Sequence, residues 1–234
     1  FHWCAAYALG KLGVKEAIPE ILKHLVGSHP EVRLNSVTLL GELGAKAAIP
    51  GLIGLLKDED ENIRRNAGWV LVKLGARDSQ AELSALLGSE DPDIRSLAAQ
   101  TLGRLGGIET IGELLKLCGD EDAEVRAHAA EALGSLGAAD AASELTRLLT
   151  DEESQVRTCA VEALGRLGAR AAAGSILKLL KDDEADVRRG AAEALGNLGE
   201  KGSAGKLLEL LEDEDHLVGA RGTRGGPSCE EPAL

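Results

Sequence analysis

Apolar positions along this chain fall into two alternating helical stripes, and the pair of stripes returns every 31 residues. Between Gly44 and Gly75, the residues Ile49, Leu52, Ile53, Leu55 and Leu56 keep the spacing of a first helix, A, buried along one broad stripe. Lys57-Asp58-Glu59-Asp60 then makes a polar turn, with Asp60 placed to cap the next helix. Helix B follows, with Ile63, Ala67, Val70, Leu71 and Leu74 inward, and Gly75 takes the place of a left-handed C-terminal cap. Pro30 and Pro92 fall one residue after the capping column, where a missing N–H costs nothing. The pattern predicts a lone helix B, six full A–B repeats and a final helix A over residues 1–218.

Three polar or small columns keep this period. Arg33, Arg64, Arg95, Arg126, Arg157 and Arg188 stand 31 residues apart, and Asp58, Asp120, Asp151 and Asp182 precede four of them by six residues. Gly27 and Ser89 replace the acid in the other two. These charges predict a structural ladder of charge-assisted hydrogen bonds within and between repeats. Glycine recurs inside helix B at Gly10, Gly41, Gly103, Gly134, Gly165 and Gly196, with Val72 breaking the column. A mid-helix glycine costs about 1 kcal/mol against alanine, so the column predicts helices that approach too closely for a side chain.

Composition narrows the chemistry. The interior is written in Leu, Ile, Val and Ala, with no Met and 2% aromatics. A net charge of −13 disfavours nonspecific attraction to nucleic acid or anionic membrane. No apolar run approaches the roughly 20 residues that span a bilayer. Cys4, Cys118, Cys159 and Cys229 form no CxxC pair, which reads as a reduced, cytoplasmic chain. Cys118 takes a leucine position and is expected to be a small buried hydrophobe.

The two-helix repeat, the six-residue Asp-to-Arg spacing and the phrase Val-Arg-x-x-Ala-Ala-x-Ala-Leu-Gly-x-Leu-Gly resemble HEAT repeats, in particular the HEAT-like repeats of phycobilisome lyases. The resemblance implies an all-α, right-handed superhelical solenoid of HEAT-like helix pairs. The family's helix-A proline survives only as Pro19 and Pro50, so a kink in the first helix is not expected beyond the second repeat.

In this family helix B lines the concave face, which makes the B positions left over from the core the expected partner-binding surface. One such column runs Tyr7, Thr38, Trp69, Gln100, Glu131, Glu162, Glu193, and a second runs Trp3, Leu34, Arg65, Ser96, Ala127, Thr158, Arg189. Trp3, Tyr7 and Trp69 are three of four aromatic residues, and a chain that builds its core without aromatics has placed them on an open face. The surface is expected to be aromatic at its N-terminal end and acidic at its C-terminal end, with Glu131, Glu162 and Glu193 in a row and Arg166 and Arg189 nearby. With His128, these residues are the candidate contacts for a protein or peptide.

Enzyme families on this architecture fail on the matching positions. Deoxyhypusine hydroxylase holds its di-iron centre with His-Glu pairs after the arginine column, where this chain reads Leu34-Asn35, Arg65-Asn66, Ser96-Leu97, Ala127-His128 and Arg189-Gly190. HEAT-like DNA glycosylases need a basic groove, whereas these columns end in glutamates. No metal site and no cofactor is indicated. The expectation is a noncatalytic scaffold binding a polypeptide, with a bilin chromophore lyase subunit of the phycobilisome type as the alternative.

His29 stands in the capping column, where it can accept a hydrogen bond. The chain begins in mid-repeat at Phe1, which reads as a fragment or processed product. At Gly219, where arginine is due, the repeat gives way to Ala-Arg-Gly-Thr-Arg-Gly-Gly-Pro-Ser-Cys, and residues 219–234 are expected to be irregular, the mark of a shifted frame or truncated gene end.

Overall fold

In the computed structural model the described residues are 2–27, 29–199, 202 and 205, and every regular element among them is helical. The final helix A and the tail 219–234 lie outside the described residues. Among the described residues thirteen α-helices follow one another, packed in sequence, and the chain groups into two compact units, Phe1–Thr110 and Ile111–Leu234. Unit 1 holds the B helices α1 (His2–Lys11), α3 (Pro30–Glu42), α5 (Glu61–Leu74) and α7 (Pro92–Leu105). Its A helices are α2 (Ile18–Leu22), α4 (Ile49–Leu55) and α6 (Gln80–Ser84). Unit 2 alternates the A helices α8 (Ile111–Leu117), α10 (Ala142–Leu148) and α12 (Ala173–Leu179) with the B helices α9 (Ala123–Ser135), α11 (Ser154–Arg166) and α13 (Ala185–Asn197).

The specimen repeat folds as its pattern dictates. Ile63, Ala67, Val70 and Leu71 are fully buried and Leu74 nearly so, against Leu52 and Leu56 of the preceding A segment. Asp60 caps α5 through bonds donated by the N–H groups of Asn62 and Ile63. Asp91 and Asp122 do the same for α7 and α9. His29 departs from expectation: its side chain makes no capping bond, where the shorter carboxylate of Asp91, also followed by proline, does. Each B helix ends at a glycine in the left-handed region, from Gly13 at φ 76° to Gly199 at φ 65°, where any side chain is strained.

That turn leads into a second regular feature. In every described repeat a short 3₁₀ turn precedes helix A, with or without a proline such as Pro19 or Pro50. Each A segment opens with a three-residue 3₁₀ turn, including Arg77–Ser79, Ala139–Ala141 and Arg170–Ala172, whose helices lack the proline. The residue after each glycine from Gly13 to Gly168 bonds back to the B helix, as Ala138 N–H does to Leu133 O at 3.1 Å, so the chain leaves in a tight turn that the 3₁₀ segment completes.

The glycine column marks close helix approach. A Cβ on Gly134 would sit 2.7 Å from the Ala163 Cβ and 2.8 Å from its Cα. On Gly41 it would meet the Val70 side chain at 2.9 Å, and on Gly165 the Ala194 Cα at 3.0 Å. Where Val72 breaks the column, Gly68 one turn earlier takes over, facing Leu97 at 3.0 Å.

The arginine ladder divides its work by atom. Arg126 holds the Asp151 carboxylate of the next repeat with two bonds, Nε to Oδ2 at 2.8 Å and Nη2 to Oδ1 at 2.9 Å. Its Nη1 donates to the carbonyl oxygens of Asp120 and Glu121, six and five residues back. Arg157 with Asp182, and Arg33 with Asp58, repeat the bidentate pair. The six-residue spacing therefore records a bond to a backbone carbonyl, which is why Gly27 and Ser89 are tolerated: Arg33 and Arg95 reach those residues' carbonyls at 2.9 Å all the same. Each aspartate also accepts its own turn's N–H, as Asp151 does from Glu153 at 3.0 Å. With Ser89 in place of the acid, Arg64 turns to Asp93.

Candidate functional site

Once core, ladder and caps are assigned, the positions left on the B helices form an outer strip in each unit. In unit 1 these positions come together across repeats. Lys11 pairs with Glu42 at 3.0 Å, and Asn66 Nδ2 donates to Thr38 Oγ1 at 2.9 Å. Trp69 is 39% exposed on α5, the largest open apolar side chain of this strip. Arg65, one turn earlier, is exposed and bonded to Glu61, while Tyr7 and Gln100 are half-buried. Trp3 lies on α1, with its side chain outside the described set.

The strip contains a feature that the column reading passed over. The Lys73 ammonium lies 4.9 Å from the centre of the Trp69 ring, and Lys11 lies 5.8 Å from that of Tyr7. Both pairs have i,i+4 spacing on one helix, which was the available signal. A ring with a cation over it presents apolar area and positive charge together.

Unit 2 differs from the expected open acidic row. Glu131 is buried, at 7% exposure, and Ala127 one turn earlier is fully buried. The small residues Gly134 and Ala163 draw α9 and α11 together, which closes the strip where a wider spacing would leave it open. Glu162 is half-buried and paired with Arg166 at 3.2 Å. Glu193 is exposed and meets Arg189 at 3.4 Å, and Arg189 also reaches Asp186 at 3.3 Å. His128 is half-buried, 4.0 Å from Glu124. The acids of this strip are largely answered by arginines within a turn.

The cysteines divide by burial. Cys118 is fully buried, and burial pushes its thiol up to about 12, with Glu144 adding to the rise and Arg147 opposing it. Cys159 is also buried, while Cys4 is exposed. In a Cys229→Ser background a thiol reagent at pH 8 is expected to modify one cysteine within minutes and the other two only on denaturation. Rapid modification of three thiols in the native protein would contradict this packing. Among the described residues no cluster of three or more His, Cys, Asp or Glu is arranged to hold a metal ion. No helix among them is long and apolar enough to cross a membrane.

Comparison with known proteins bears on the family and the fold. The model for HEAT repeats matches residues 18–89, 79–164 and 147–222, and that for the PBS lyase HEAT-like repeat matches residues 5–27. No curated protein matches the chain. Among solved structures, the complex of CpcE and CpcF of phycocyanin lyase from Nostoc sp. PCC7120 is similar at 28% identity and TM-score 0.58, over 80% of this chain and 79% of that one. The Escherichia coli protein YibA superposes at TM-score 0.62 with 17% identity, over 92% and 94% of the two chains. A designed armadillo repeat protein bound to the peptide (KR)4 superposes at 0.52 with 18% identity, over 77% and 99%. The last two share the fold alone. Taken with the 31-residue helix pairs and their arginine ladder, these matches show that the chain belongs to the HEAT-repeat family.

Proposed function

We propose that the chain is a noncatalytic scaffold that binds a protein or peptide on the B-helix strip of unit 1. The exposed Trp69 carries this reading: with an interior built without aromatics, a tryptophan held at the surface against Lys73 serves contact with something else. Tyr7, Arg65, Gln100 and Trp3 are its neighbours on that strip, and His128, Glu131, Glu162, Arg189 and Glu193 are the corresponding positions of unit 2. HEAT and armadillo repeats commonly present such helix faces to polypeptides. The test is to pan a displayed library of linear peptides on the whole chain and measure the recovered peptides by calorimetry. Trp69→Ala is expected to weaken them about thirtyfold, the scale of an interface anchor, and Glu82→Gln on α6 to leave them unchanged. Equal affinity for the Trp69→Ala protein would remove the proposal.

A second reading, a lyase-type subunit acting on a bilin chromophore, is favoured by the 28% identity to the CpcE–CpcF complex over four-fifths of the chain. It predicts a shift in visible absorbance when the chain is mixed with a free bilin, alone or beside a second HEAT-like chain. An unchanged spectrum in both mixtures would eliminate it.

A further inference from the structure

The strip of unit 1 runs against the chain's composition. The whole sequence carries 39 acids and 26 lysines and arginines. The three outer columns of α1, α3, α5 and α7 nevertheless hold Lys11, Arg65, Lys73 and Arg104 against Glu42 alone. Lys73 makes no ion pair among the described residues and rests on the Trp69 ring. Arg65 is held to Glu61 by an i,i+4 pair whose side chains are 73% and 65% exposed, a contact a competing carboxylate can replace at small cost. In unit 2 the same columns answer charge with charge, Glu162 with Arg166 and Glu193 with Arg189, and leave no such surplus.

We infer that this strip takes an acidic stretch of polypeptide carrying an aromatic or leucine side chain, an inference that rests on the protein-binding reading above. The Trp69–Lys73 pair offers a carboxylate an ammonium and an apolar side chain a ring, while Lys11 over Tyr7 is already held by Glu42 at 3.0 Å. Four B helices packed about 10 Å apart give a strip of about 30 Å, the reach of about 10 residues of extended chain. Glu31, Glu61 and Asp93 stand at the B-helix starts along one border of the strip and confine the basic lane. A nucleic acid, with a charge about every 3.4 Å of strand, meets that border and the net charge of −13 more unfavourably than a peptide with an acid at every second residue, about 7 Å apart. Lys73 and Arg104 also complement the C-terminal ends of their helices, a role that registers in thermal stability and not in binding.

The probe is a fluorescein-labelled peptide of about 10 residues alternating Glu with Leu and one Phe, titrated into the whole chain by anisotropy. Its Gln-for-Glu and Lys-for-Glu counterparts and an oligothymidylate are titrated in parallel. The acidic peptide is expected to bind and to weaken about tenfold as salt rises from about 0.05 to about 0.3 M. Lys73→Glu with Arg65→Glu is expected to weaken it about tenfold or more, with helical circular dichroism showing that the variant is still folded at the titration temperature. Equal or tighter binding of the lysine peptide overturns the inference, as does oligothymidylate binding that the double variant releases. If the glutamine peptide binds as well as the acidic one and Trp69→Ala releases both, the acidic partner is overturned and the protein-binding strip stands. If the acidic peptide binds and neither Trp69→Ala nor the double variant weakens it, both are overturned. If no peptide binds, the acidic partner is overturned while the library experiment still decides the strip.

Discussion

Asp151→Ala is expected to lower stability by about 3 kcal/mol, because it leaves a guanidinium buried without its bidentate partner. Arg126 and Asp151 have side chains only 11% and 10% exposed, so water cannot replace the lost carboxylate. The substitution also removes the acceptor for the Glu153 N–H at the start of α11. By contrast, Glu59→Ala removes a carboxylate 80% exposed beside Arg33 and is expected to cost less than about 1 kcal/mol. Denaturant melts measure both, and hydrogen exchange in α11 shows whether the loss is local, since repeat arrays open at their weakest junction. A loss below about 1 kcal/mol for Asp151→Ala would show that the ladder is not a main source of cohesion.

The ladder also sets the acid limit of the fold. Burial tends to raise the carboxyls of Asp58, Asp151 and Asp182, but the arginine of the preceding repeat and a turn N–H outweigh it and hold each below 3.8. A folded value below the unfolded one means that the stabilisation is complete above the unfolded value and is lost as pH falls through the folded one. Melting temperature is therefore expected to be flat with respect to these groups above about pH 5 and to drop steeply below about pH 4. Asp151→Asn should make that drop shallower, and an unchanged acid limb would contradict the assignment.

The second large effect lies at Gly134. Alanine there gains about 1 kcal/mol of helix propensity, yet its Cβ falls 2.8 Å from the Cα of Ala163, a backbone atom that cannot rotate aside. The two helices must separate, and the net result is expected to be a loss of about 1–3 kcal/mol. Gly54→Ala in α4, with nothing within 4 Å of the new Cβ, is expected to be neutral or stabilising by up to about 1 kcal/mol. Thermal melts that rank these two alanine substitutions the other way would show that the glycine column has no packing role.

The period made much of this readable. Ile63, Ala67, Val70, Leu71 and Leu74 were assigned inward by helical spacing and are buried, and every described glycine of the Gly13 column has positive φ. These are local properties, set by side-chain volume and backbone freedom within one repeat. The 3₁₀ start of helix A has no signature in the apolar spacing, because it follows from the tight glycine turn before it. The lysine over Trp69 was legible as an i,i+4 pair and went unread because only one column was followed at a time.

The sequence by itself determined the helices, their caps, the columns that face inward and the presence of a ladder, because each follows from spacing along a single segment. Only the tertiary structure decided which charges meet and which surfaces remain. Arg126 sits six residues after Asp120 yet clasps Asp151, 25 residues on, since docking of the next repeat brings that carboxylate to its fork. Glu131 and Trp69 occupy the same column, and one is buried while the other is open. Helical spacing is alike for both; the distance between neighbouring helices, set by side chains on other segments, differs.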